Sequence, residues 1–111
     1  MRVRITWHIT ARDRGEERIS AEELRQEAKR LMEILISSEE AGQIKNAAVE
    51  TDAKDPSITV EAIVPSADTS IAIDQLRKIG LASIRRRARN SGPFSRSLEP
   101  TEVQSSADPI E

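Results

Sequence analysis

His8 is the only histidine in the chain, and there is no cysteine. Imidazole titrates nearest neutrality, which suits general acid–base work. A catalytic base, however, needs a group that orients its ring, and a bound metal needs further ligands. One histidine and no thiolate rule out the usual zinc spacings. Glu50 or Glu61 could face His8 across a sheet, but a solvated strand histidine is the favoured reading. The serines lie in no nucleophile-elbow text, and any triad would have to use His8. No glycine-rich phosphate loop occurs. Glu22-Glu23 and Glu39-Glu40 are adjacent in sequence, yet neighbouring helical side chains diverge by about 100° and share no proton site. No catalytic residue, cofactor-binding residue or metal ligand is therefore expected, and the chain is expected not to be an enzyme.

Arg85, Arg86, Arg87 and Arg89 form the densest basic cluster. At the end of a helix such cations complement the dipole, so a solvated helix end ranks first. An acidic protein partner ranks second, the chain's own Glu99, Glu102 and Asp108 included. Nucleic acid ranks third, with Arg77 and Lys78 assisting. The formal net charge is −2, and Trp7 and Phe94 are the only large rings. A surface that stacks bases needs exposed π-faces, so both facts weigh against nucleic acid.

These residues must be placed by a small number of elements. Residues 2–10 alternate apolar Val3, Ile5, Trp7 and Ile9 with Arg2, Arg4, Thr6, His8 and Thr10, the period of a half-buried strand. Trp7 shares the apolar parity and belongs to the core. Residues 11–18 read as a charged loop around Gly15. Ser20 and Glu23 make a capping box, and Ile19 with Leu24 a hydrophobic staple. Leu24, Ala28, Leu31, Met32, Leu35 and Ile36 supply the apolar stripe of a helix that Gly42 stops. Residues 44–52 and 57–65 form a hairpin turned at Asp55-Pro56. A second helix starts at Asp68 or Ser66. It carries Ile73, Leu76, Gly80 and Ile84 on one face, flanked by Ile79 and Leu81. Gly80 costs about 1 kcal/mol relative to Ala mid-helix, which predicts a close approach to the sheet or the other helix. Asn90, Gly92 and Pro93 end it.

These elements predict an α+β domain of order β-α-β-β-α over residues 1–92. The three strands lie in the order 1-3-2 with both helices on one face, a ferredoxin-like arrangement without its last strand. Residues 93–111 are polar and expected to be a disordered tail. A fourth strand at Glu102–Gln104 is only weakly signalled. No apolar run is long enough to span a bilayer, and the alternating N-terminus is no signal peptide. No membrane association is expected, and a cytoplasmic location is.

The helix end Leu35 to Glu40, Ala48-Val49-Glu50 with Asp52, Ile58-Thr59-Val60-Glu61-Ala62, and Ile84-Arg85 before Ala88 together resemble uncharacterised small actinobacterial β-α-β-β-α proteins. The resemblance covers residues 20–92. It implies a fold and transfers no catalytic residue, since that group has no established activity.

The order 1-3-2 leaves the first strand as an exposed edge, which normally needs a cover. The expected function is that of a non-enzymatic protein-interaction, regulatory or adaptor protein. Its partner, another protein or a second copy in a homodimer, would pair along Arg4, Ile5, Thr6, Trp7 and His8. Coverage of this edge by residues 101–104 ranks lower. The alternative is a nucleic-acid-associated protein using the arginine cluster.

Overall fold

Among the described residues backbone hydrogen bonds join four strands, one more than the sequence predicts. The computed structural model describes residues 1–11, 20–90 and 98–109, apart from the side chains of 11, 83–90 and 98. The elements are β1 (Arg2–Ala11), α1 (Ala21–Glu40), β2 (Lys45–Asp52), β3 (Ser57–Ile63), α2 (Thr69–Asn90) and β4 (Leu98–Asp108). The sheet order is β2-β3-β1-β4, and every neighbouring pair is antiparallel. This is an α+β fold with two helices on an open antiparallel sheet, and its order matches the complete split β-α-β arrangement.

The class agrees with expectation, as does the 1-3-2 order among the first three strands. The tail does not. Residues 98–108, expected to be disordered, form the last strand, which pairs with β1 from Arg2↔Asp108 to Ala11↔Leu98. Of the expected loop at 11–18, Ala11 ends β1 and 12–18 lie outside the described residues, as do Ile19 of the staple, Gly92 and Pro93.

Local chemistry sets the helix ends. Ser20 Oγ accepts from the Glu23 amide at 3.1 Å, and Glu23 Oε1 accepts from the Ser20 amide at 3.3 Å, closing the capping box. At the other end Gly42 takes φ +78°. Its amide donates to Glu39 O at 2.9 Å, while Gln43 N–H donates to Ser38 O at 2.9 Å. These are the two bonds of a Schellman stop. Asp68 caps α2, its Oδ1 accepting from Ile71 N–H at 2.9 Å. Ser66 plays a smaller part by accepting from Asp68 N–H at 3.2 Å.

The core lies between the sheet and the helices. Val3, Ile5, Trp7 and Ile9 of β1 meet Ile58, Val60 and Ala62 of β3, with Leu24, Leu31 and Leu35 from α1 and Ala72 and Leu76 from α2. The stripe on α1 is turned slightly from the predicted one. Glu27 and Ser38 are buried, whereas Ile36 is exposed. Positions 24, 27, 31, 35 and 38 follow the helical period as well as the all-apolar choice does.

Candidate interaction surface

With both helices on one side, the other face of the sheet carries the alternate residues of every strand. From β1 come Arg2, Arg4, Thr6 and His8, and from β3 Ser57, Thr59 and Glu61. These are cross-strand neighbours by register: Arg4↔Glu61, Thr6↔Thr59 and His8↔Ser57. β2 adds Ala48 opposite Glu61 and Glu50 opposite Thr59. β4 adds Gln104 opposite Thr6 and Ser106 opposite Arg4. No element covers this face among the described residues.

Its charges are arranged in alternation. Arg4 sits between two acids, with Nη1 at 3.4 Å from Glu61 Oε2 and Nη2 at 3.5 Å from Glu50 Oε2. Arg2 Nε approaches the other oxygen of Glu61 at 3.5 Å. Thr6 and Thr59 share a hydroxyl hydrogen bond of 2.9 Å. Exposed pairs of this kind contribute little to stability, with a median below about 1 kcal/mol.

His8 does not meet Glu50 or Glu61, because the register sets it opposite Ser57, two residues along β3 from Thr59, which Glu50 faces, and four from Glu61. Its Nδ1 instead lies 3.6 Å from Asp55 Oδ1 in the β2–β3 turn. That separation is too long for a hydrogen bond that would orient the ring. The sequence reading missed this carboxylate because its position depends on how the turn closes.

The expected docking edge is absent as such. Ile5 and Trp7 are buried, and the backbone of Arg4, Ile5, Thr6, Trp7 and His8 pairs with β3 on one side and β4 on the other. β1 is an interior strand, so the expected homodimer joined along it has no free edge to use. The outer strands are guarded instead. In β2 Asn46 and Ala47 bulge opposite Ala62, with Asn46 at φ +51°, and Glu39 Oε1 takes the Ala47 amide at 2.6 Å. In β4 Pro100 and a bulge at Val103 interrupt the edge. Bulges and prolines discourage pairing with further strands.

The arginine cluster lies on the last turns of α2, which runs unbroken to Asn90. The side chains of Arg85, Arg86, Arg87 and Arg89 are outside the described ones. The two cations expected to assist them are already engaged. Glu102 accepts from Arg77 Nε at 2.7 Å and from Nη2 at 3.0 Å, and Asp74 lies 3.6 Å from Nη1. The Glu102 hydrogen bonds raise the Arg77 pKa above its usual value. Partial burial opposes this, and the charges of Glu102 and Asp74 reinforce it. Lys78 Nζ is 3.0 Å from Asp74 Oδ2. Glu102 reaches the helix because it stands opposite Trp7, a core-side position.

Among the described residues no group of three or more His, Asp or Glu side chains is placed to hold a metal ion. No described helix is long and apolar enough to cross a membrane. No protein-family model, curated protein or solved structure matches the chain.

Proposed function

We propose that the chain is a non-enzymatic protein-interaction module that binds through the open face of its sheet. The observation that carries this reading is the uncovered array in which Arg2 and Arg4 alternate with Glu50 and Glu61. Such an array offers both signs of charge at fixed spacing, which favours selective encounter more than raw affinity. The one histidine supports the same reading, since no hydrogen bond from Asp55 orients its ring. The partner is another protein or a second copy of the chain. The continuity of α2 through its arginines supports the alternative of nucleic-acid association, and the neutralised Arg77 and Lys78 weigh against it.

The test is a photo-crosslinking side chain at Thr59 on the open face or at Lys29 on the outer face of α1, each carried by the full chain in its native host. The expected result is one discrete protein adduct from position 59 and none from 29. Equal labelling from both positions would overturn the reading.

A further inference from the structure

β4 is bound in an unusual way for a strand that completes a sheet. None of its described side chains is buried, and Val103 is 58% exposed. Ser105 and Ala107 stand on the core side and are only half-buried. Its attachment includes the backbone ladder to β1, the Arg77–Glu102 fork, a bond from Thr10 Oγ1 to Glu99 O at 3.3 Å, and the packing of Ala107 against the core. Main-chain pairing is the chemistry that gives sheet edges their affinity for extended peptides.

Charge gives that pairing a preference. β4 carries Glu99, Glu102 and Asp108 and no basic residue. The surface it lies on carries Arg77 on α2 and, on β1, Arg2 and Arg4, which Glu61 and Glu50 of the neighbouring strands also approach. The register sets Asp108 opposite Arg2 and Glu102 opposite Trp7, where the fork of Arg77 can reach it.

We propose that β4 is an intramolecular occupant of a strand-accepting edge on β1, and that an extended acidic segment of another protein replaces it. The incoming segment runs antiparallel to β1 and places a carboxylate opposite Trp7, where Arg77 receives it. Small or polar residues suit its core-side positions, as Ser105 and Ala107 do in β4. Being tethered, β4 competes at an effective concentration on the order of millimolar, so the free edge is kept closed until a partner strand outcompetes it. The proposal deepens the interaction reading by adding a second site and a partner chemistry. It is tested with purified components alone, so its failure is separable from a failure of capture at the open face.

The probe is a fluorescent peptide with the sequence of residues 98–108, titrated into the full chain and followed by anisotropy. Glu102→Gln in the protein weakens the tethered strand but leaves the peptide's own carboxylate, and should tighten peptide binding about fivefold. Thr6→Cys with Gln104→Cys joins register neighbours across β1 and β4, and no native cysteine interferes. The oxidised form should lose peptide binding, and reductant should restore it in the same sample, which controls for folding. A peptide with lysine in place of its Glu102 equivalent should not bind. Binding indifferent to oxidation, or none to the Glu102→Gln protein at millimolar peptide, would overturn the proposal. So would a doubling of the Glu102→Gln protein's mass by light scattering, which would make a second copy the occupant.

Discussion

The indole of Trp7 occupies the space that a side chain on Gly80 would need. A Cβ at position 80 would stand 2.5 Å from Trp7 Cη2, 3.1 Å from Cζ3 and 3.3 Å from Cζ2. The glycine is therefore the reason α2 can lie directly on β1, and its cost in helix propensity is offset by burial of the largest side chain in the core.

Gly80→Ala sets two effects of opposite sign against each other. Helix propensity favours alanine by about 1 kcal/mol. Overpacking against a rigid buried ring costs about 1–3 kcal/mol. The second should prevail, so Gly80→Ala is expected to lower the melting temperature. In a Trp7→Phe background the outer ring atoms are gone, and the same change should become neutral or stabilising. Trp7→Phe also removes a buried Nε1–H that has no hydrogen-bond acceptor among the described residues. Chemical denaturation of the four proteins of this cycle measures the coupling, expected at 0.5 kcal/mol or more by the usual scale for touching residues. Equal effects of Gly80→Ala in both backgrounds would show that the ring does not set the constraint.

What could be read from the sequence was what acts locally. Ser20 with Glu23, Gly42 and Asp68 act within a few residues of themselves, so their text is sufficient. Gly80 was also legible, because a glycine inside a strong helical period needs a reason and Trp7 supplies it. β4 was legible only as a weak strand at Glu102–Gln104 and as the lower-ranked cover of β1 by residues 101–104, because Leu98–Asp108 sustains no alternation of apolar with polar. An edge strand that binds by its main chain leaves little side-chain pattern to detect, and its partner strand lies at the opposite end of the chain. The error over the tail then propagated, turning an interior strand into an expected docking edge. At the open face the polar residues of β1 were placed correctly, but which acid meets which base depends on register and turn closure.

The caps of α1 give a second prediction. Ser20→Ala removes the hydroxyl of the capping box and should cost about 1 kcal/mol. Gly42→Ala meets no steric obstacle, since nothing lies within 4 Å of the added Cβ, so only the backbone at φ +78° opposes it. The expected cost is again about 1 kcal/mol, and less for Gly42→Asn, which tolerates the left-handed region. The caps are at opposite ends of the helix, so the double variant should be additive within about 0.5 kcal/mol. A Gly42→Ala protein as stable as wild type in urea would contradict the Schellman account.

His8→Ala tests the non-enzymatic reading. The imidazole is partly exposed, and Asp55, 3.6 Å away, is largely exposed. The change should shift stability by less than about 0.5 kcal/mol, as is usual at the surface. Any biological phenotype of the chain should survive it. Loss of the phenotype with unaltered melting would point to chemistry at His8.

The arginines at the end of α2 give the last prediction. Four cations on the final turns will attract polyanions at low salt. Specific recognition needs more: further phosphate contacts to fix register, and base-edge or stacking contacts to read sequence. Arg77 is held by Glu102 and Asp74, and Lys78 by Asp74, so the two cations expected to assist are already neutralised. The one tryptophan is in the core. Duplex and single-stranded nucleic acid should therefore bind no tighter than a Kd of about 10⁻⁶ M at physiological salt, without sequence preference. A salt titration by fluorescence anisotropy checks this, with affinity falling steeply and equally for unrelated sequences. Replacing Arg85, Arg86, Arg87 and Arg89 with glutamine should abolish what binding there is and flatten the salt dependence. Submicromolar binding that keeps a sequence preference at physiological salt would place nucleic acid ahead of protein as the partner.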